Sequence, residues 1–252
     1  MSGRLVIVGL GPGAPGLMTH DAEAALAEAS DILGYGPYLA RLSPLPSQRL
    51  HASDNRQELD RARAALDLAA SGKNVALVSG GDSGVFAMAS AVFEAIETGE
   101  AAWCTLDVEV IPGITAMFAA SARLGAPLGH DFCAISLSDN LKPWSLVESR
   151  LRHAALGDFV IALYNPASRA RPWQLGAAFD VLRGILPPTA PVAFAQAISR
   201  PEERIEIFSL ATADPGRADM RTLVIIGSRA SRLIARPAAR PWLYTPRRVN
   251  SA

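Results

Sequence analysis

The stretch that decides the fold is RLVIVGLGPGAPGLMTHDAEAAL, Arg4 to Leu26. Leu5 to Val8 is an unbroken apolar run, the pattern of a strand covered on both faces. A loop rich in glycine and proline follows. Thr19 then stands where it can cap a helix, with Asp21 and Glu23 near that helix's positive end. The loop fits the dinucleotide pattern G-x-G-x-x-G/A twice, as Gly9, Gly11 and Ala14 and as Gly11, Gly13 and Gly16. Such a loop works by offering backbone N–H groups to pyrophosphate, and Pro12 and Pro15 each remove one. It also needs an acid at the end of the second strand, about twenty residues on. Asp31 has that spacing but precedes Ile32, at the strand's start. No G-x-x-x-x-G-K-[ST] loop occurs either. The stretch therefore reads as a strand-to-helix turn that serves a ligand without phosphate.

Outward from this turn, strands and helices alternate. Strands are expected at Ile32 and Leu33, Val75 to Val78, and Val108 to Ile111. Helices are expected from Arg56 to Ala70, with Leu59, Ala62, Leu66 and Ala69 on the buried stripe and Gly72 as the stop, from Val85 to Glu97, and from PGIT (Pro112 to Thr115) through Leu124. This order argues a mainly parallel, doubly wound sheet. The second half changes character. Phe132 to Ile135, Phe159 to Leu163, Val192 to Ala195, Arg204 to Ser209 and Thr222 to Ile226 read as strands, with helices at Leu146 to Ala155 and near Trp173 to Leu186. Strands without intervening helices after Val192 imply a mixed sheet. An arginine-rich tail follows, whose Arg236, Arg240, Arg247 and Arg248 read as surface. The fold class is α/β with two α/β domains, at residues 1–118 and 119–252.

Composition excludes several functions. Formal net charge is zero, so no bulk field attracts nucleic acid or an anionic membrane. No apolar run approaches the roughly 20 residues that span a bilayer. The start, Met1-Ser2-Gly3-Arg4, has no secretory leader, and a cytoplasmic protein is expected. Cys104 and Cys133 lie far apart and read as buried thiols. The four histidines are scattered, so no metal is expected. Of 24 basic residues only Lys73 and Lys142 are lysine. Genomic base composition accounts for that bias in an alanine-rich chain, yet arginine also grips carboxylates with two parallel hydrogen bonds.

Four N-terminal strands end in glycine or proline loops: Gly9 to Gly13, Gly34 to Pro37, Gly80 to Gly84 and Pro112 to Thr115. Ligands of open α/β sheets sit outside the carboxyl ends of the strands. "VGLGPGAPGLMT", "SGGDSGVF" and "IPGITA", in that order, resemble the tetrapyrrole methylases, and "ALYNP", "QAISRPEER" and "RTLVIIGS" match the family's later blocks. Within the family, "ISLSDNLKPW" with "LYNPASRARPWQL" is most similar to the subgroup that methylates C17 of precorrin-3B and contracts the macrocycle. The resemblance implies a class III methyltransferase fold with S-adenosylmethionine between the domains, usually a homodimer, and a polycarboxylate tetrapyrrole as substrate.

Carried over by position, the resemblance implies cofactor contacts from Gly80, Gly81, Asp82, Val85, Thr115, Ala116, Leu163, Tyr164, Asn165, Ala197 and Ile198, with Pro12 on the substrate side. Asp82-Ser83 stands where many relatives have Asp-Pro. Asp82 could complement the sulfonium charge, bond ribose hydroxyls or cap the following helix. Arg169, Arg171, Arg200 and Arg204 could clamp the substrate's carboxylates or form a solvated face. Ring contraction, with loss of a hydroxyl or opening of a lactone, asks for a general acid and a base. Asp139 is the candidate, with Ser138 as hydrogen-bond donor. A capping turn for the next helix is the alternative.

Overall fold

A computed structural model describes residues 3–55, 57–168 and 170–248. The chain divides into two compact units, Met1–Thr115 and Ala116–Ala252.

The first unit runs β1 (Arg4–Gly9), α1 (His20–Glu28), β2 (Asp31–Tyr35), α2 (Gly36–Leu39), β3 (Arg49–Ser53), α3 (Glu58–Ala70), β4 (Asn74–Ser79), α4 (Met88–Thr98) and β5 (Asp107–Ile111). All five strands are parallel, in the order β3-β2-β4-β1-β5. The alternation of β1 explains its interior place, between β4 and β5. Leu5 and Ile7 pack with Leu66, Val92 and Trp103 on one face, and Val6 and Val8 pack with Ala22 and Leu39 on the other. Each such side chain contributes about 1.5–3 kcal/mol when removed from water. Thr19 caps α1, its Oγ1 accepting from the Ala22 N–H at 3.2 Å.

Three details depart from the sequence reading. Strand β3 was not expected: RLHAS is polar and forms an exposed edge, tied to β2 where His51 Nε2 meets the buried Asp31 Oδ1 at 2.7 Å. The buried stripe of α3 is Ala62, Ala65, Leu66 and Ala69 with Arg61, whereas Leu59 is exposed and Arg56 lies outside the described residues. Helix α4 begins three residues after Val85. Its first amide, Met88 N–H, donates to Ser79 Oγ at 3.2 Å, while Phe86 sits in the left-handed region at φ 53°.

The second unit runs α5 (Ala116–Leu124), β6 (Gly125–Ala126), β7 (Phe132–Ser136), α6 (Trp144–Leu156), β8 (Val160–Tyr164), α7 (Gln174–Arg183), β9 (Pro191–Gln196), β10 (Arg204–Ser209), β11 (Thr222–Ile226), β12 (Arg232–Arg236) and β13 (Ala239–Tyr244). Its main sheet is mixed, in the order β10-β9-β11-β8-β7, with β7 and β8 parallel and the remaining neighbours antiparallel. Leu151, Leu175 and Phe179 from α6 and α7 pack on Ile161, Phe194 and Val224. In the arginine-rich tail Arg247 and Arg248 are exposed as expected, whereas Arg236 and Arg240 are half-buried. Strands β12 and β13 form a hairpin that pairs with β6, the Arg236 guanidinium lies 4.6 Å from the centre of the Trp242 ring, and Arg240 Nη2 donates to the Arg123 carbonyl at 2.5 Å. Cys104 is exposed rather than buried. Cys133 is partly buried, and burial pushes its thiol up to about 11. Among the described residues no helix is long and apolar enough to cross a membrane.

Candidate functional site

In the first unit, the loops after β1, β4 and β5 are knotted together at the carboxyl edge of the sheet. Gly11 and Gly81 exchange two backbone hydrogen bonds, of 3.0 and 2.9 Å. Both adopt left-handed backbone, at φ 67° and 72°, a conformation that favours glycine. The Gly11 N–H, which a dinucleotide loop would turn to pyrophosphate, is thus committed to the neighbouring loop. Gly113 fits between them. A Cβ there would collide with the Gly81 carbonyl oxygen and lie 2.7 Å from that of Gly9. Gly80 is shaped by its own chain too: a Cβ would come within 2.8 Å of the Tyr38 ring.

Asp82 holds this knot. Its Oδ1 accepts from the Gly84 N–H at 2.8 Å and its Oδ2 from the Gly113 N–H at 2.9 Å. The geometry gives it a loop-to-loop link that the sequence reading did not expect, and it does not cap α4, which starts at Met88. Ser83 is fully buried, with Oγ in reach of the Ile111 carbonyl at 3.2 Å and the Ile7 carbonyl at 3.4 Å. That tie to β5 and β1 supplies the rigidity that proline would give at this position. Val85 is half-buried, and Pro12 and Thr115 are buried.

In the second unit, β7, β8 and β9 share one direction, so the segments after them emerge at one edge of the mixed sheet. These segments carry Ser138 and Asp139, then Tyr164 to Arg171, then Ala197 to Arg200. Arg204 is opposite Gln196 at the same edge. Arg169 lies outside the described residues. Backbone strain collects here. Asn165, Ala197 and Ser199 have φ of 52°, 48° and 64°. Left-handed non-glycine residues cost about 1–3 kcal/mol each and cluster at ligand clamps. The Ser199 hydroxyl is buried without a hydrogen-bond partner among the described residues. Asn165 Nδ2 donates to Ser136 Oγ at 2.9 Å, and the Tyr164 hydroxyl accepts from the Met117 N–H at 3.1 Å, one residue after Ala116. Ile198 is buried, and Leu163 turns its side chain into the core below, which leaves only its backbone for a ligand.

Asp139 sits in a side-chain network. Arg171 Nη1 donates to Ser138 Oγ at 2.9 Å and to Asp139 Oδ1 at 3.0 Å, and Gln174 Nε2 donates to Asp139 Oδ1 at 3.2 Å. The Arg171 hydrogen bond is the main reason that the Asp139 carboxyl lies below its ordinary value. A carboxylate held ionised in this way is a poor proton donor. On these contacts Asp139 is a carboxylate that fixes Arg171, and it is not the cap of α6, whose N-cap is Pro143. Arg204 is exposed and pairs with Glu206 at 2.8 Å.

Sequence reasoning missed Ser168, Gln174, Ser199 and Lys142. Burial, followed by the charge of Arg150, pushes the Lys142 ammonium down, while Asp139 pulls it up. Its signal was present, since it is one of only two lysines and stands three residues after Asp139.

Comparisons with known proteins extend these observations to the whole chain. The family model described as Tetrapyrrole (Corrin/Porphyrin) Methylases matches residues 4–214. The chain is 57% identical to a protein of Sinorhizobium sp named Precorrin-3B C(17)-methyltransferase, over 98% of this chain and 97% of the other. It superposes on the crystal structure of the methyltransferase CobJ with a TM-score of 0.92 at 52% identity, covering 97% of this chain and 100% of that one. It also matches uroporphyrin-III C-methyl transferase from Thermus thermophilus complexed with S-adenyl homocysteine, with a TM-score of 0.67 at 26% identity, covering 89% of this chain and 97% of that one. The glycine knot and the strained edge of the mixed sheet thus sit in a chain that belongs to the tetrapyrrole (corrin/porphyrin) methylase family.

Proposed function

We propose that the protein is an S-adenosylmethionine-dependent C-methyltransferase of cobalamin biosynthesis that methylates C17 of precorrin-3B and contracts the ring to give precorrin-4. The observation that carries this reading is the 57% identity, over nearly the full length of both chains, to the Sinorhizobium enzyme of that name.

S-adenosylmethionine supplies, when bound, an electrophilic methyl group on a sulfonium centre. The residues fit such a ligand: a buried Ser199 hydroxyl stands without a partner among the described residues, and Asn165, Ala197 and Ser199, at the same sheet edge, hold left-handed backbone. We assign the cofactor contacts to Gly80, Gly81, Asp82, Val85 and Thr115 from the first unit and to Ala116, Tyr164, Asn165, Ala197, Ile198 and the Leu163 backbone from the second. The chain's chief contribution is to position the reacting carbon, which can supply roughly 7–11 kcal/mol of a barrier in well-oriented reactions. Arg171, set by Asp139 and Ser138, grips a carboxylate arm of the tetrapyrrole; Arg200 and Arg204 flank it at the same edge, and Pro12 borders the substrate from the first unit.

The test is incubation with methyl-labelled cofactor and precorrin-3B, with the product analysed by mass and NMR. One label on C17 of a contracted ring is expected. A label on another ring carbon makes the protein a sister methylase of the pathway, and no label on any precorrin overturns the reading. We place the enzyme in the cytoplasm as a homodimer. Strand β12 supports a dimer, because it is an edge strand with Leu233 and Ile234 49% and 45% exposed, and such edges are normally covered. Light scattering should give twice the chain's 26.6 kDa, and a monomer at micromolar concentration removes that part.

A further inference from the structure

Three buried polar atoms at the carboxyl edge of the mixed sheet lack a hydrogen-bond partner among the described residues: Ser168 Oγ, Arg171 Nε and Gln174 Oε1. Their residues line one hollow with Leu137, Asn165 and Met220. Its volume is about 20 Å³. A water-sized group needs roughly 10–15 Å³ on the same measure, so the hollow takes one oxygen-sized group. Gln174 is only 2% exposed, so bulk solvent does not serve its carbonyl. Each buried group left unmatched costs about 1–3 kcal/mol, and three in one place point to a ligand that completes them.

The kinds of atom presented narrow that ligand. Arg171 Nη1 is committed to Ser138 and Asp139, which holds the guanidinium in place and leaves Nε as its buried, unmatched donor in a residue that lines the hollow. Gln174 is oriented by its donation from Nε2 to Asp139, so Oε1 is a fixed acceptor. Turning the amide over would set two oxygens against each other at 3.2 Å. Ser168 donates or accepts. A carboxylate would satisfy Arg171 and Ser168 but face the Gln174 oxygen, acceptor against acceptor. An ammonium would face the guanidinium. A neutral hydroxyl meets all three.

We propose that Ser168, Arg171 and Gln174 form a receptor for one hydroxyl group of a bound ligand. The proposal rests on the methyltransferase reading, which offers two sources of that chemistry, the ribose of the cofactor and a hydroxylated tetrapyrrole. Asp139 then acts from behind, as the group that fixes both Arg171 and Gln174.

The test uses the full chain and its variants Ser168→Ala and Gln174→Met, the second keeping the volume while removing the acceptor. S-adenosylhomocysteine is titrated in one arm. Precorrin-3B and the same macrocycle without its hydroxyl are titrated in the other. Both variants should lose about tenfold in affinity for one hydroxyl-bearing ligand, the loss expected when a buried partner is removed. Weaker S-adenosylhomocysteine binding assigns the receptor to the ribose. Loss of the preference for the hydroxylated over the deoxy macrocycle assigns it to the substrate. Unchanged affinity for both ligands in a Ser168→Ala protein with a normal melting midpoint overturns the proposal. The methyl-transfer assay is separate: a protein that keeps hydroxyl selectivity yet methylates no precorrin refutes the function and not the receptor.

Discussion

Gly113→Ala is expected to destabilise the protein by about 3 kcal/mol, the upper end of ordinary overpacking, and to weaken S-adenosylhomocysteine binding more than tenfold. The new methyl would meet the carbonyl oxygens of Gly81 and Gly9, and neither can rotate away as a side chain would. Gly81 is locked to Gly11 by its pair of hydrogen bonds, and Gly9 closes β1, held between β4 and β5. The only relief is to push the three loops apart, which breaks the Asp82 link to the Gly113 N–H as well. Gly16→Ala is the matched control, since nothing lies within 4 Å of the added carbon; a change within about 0.5 kcal/mol is expected there. Urea unfolding and ligand titration of both variants check this. A Gly113→Ala protein as stable as the control would show that the loops are not held as described.

Asp139→Asn carries the second large effect. Charge-assisted hydrogen bonds contribute about 1.5–3 kcal/mol, so kcat/KM for the tetrapyrrole should fall roughly 10- to 100-fold, a factor of ten being about 1.4 kcal/mol. S-adenosylhomocysteine affinity should stay within twofold if the hydroxyl receptor serves the tetrapyrrole, and should fall with it if the receptor holds the ribose. Because the Asp139 carboxyl is held below its ordinary value, its stabilising effect is fully present above the unfolded value near 3.9 and is lost as pH falls through the folded one. The melting deficit of Asp139→Asn should therefore be largest at neutral pH and vanish in acid. A rate loss far beyond 100-fold with KM unchanged would instead restore the proton-transfer role that the sequence suggested.

Much of the architecture was legible because its strands are covered on both faces. Leu5 to Val8, Val75 to Val78 and Thr222 to Ile226 are apolar at nearly every position, and such runs need no partner to be recognised. Arg49–Ser53 and Arg232–Arg236 were invisible for the opposite reason. Both are edge strands left mostly exposed, so neither carries the unbroken apolar run of a strand covered on both faces. The site divides the same way. Its glycine loops could be read because glycine marks a backbone need directly. Their use for contact with one another could not, since Gly11, Gly81 and Gly113 meet only when the strands are assembled. Asp139 was found from its polar loop, but its state depends on Arg171 and Gln174, more than thirty residues away.

The knot of loops also bears on how the protein matures. Asp82 and Gly113 are 31 residues apart, and the Gly11–Gly81 pair spans most of the first unit. Contacts so distant along the chain form late, because loop-closure entropy must be met before they reward it. No fragment that lacks β5 can present the finished platform, and a ribosome-bound chain gains it only after Gly113 has emerged. With the methyl donor assigned to these loops as proposed, its capture would be coupled to completion of the whole parallel sheet, and ligand binding would report on folding quality as well as on chemistry.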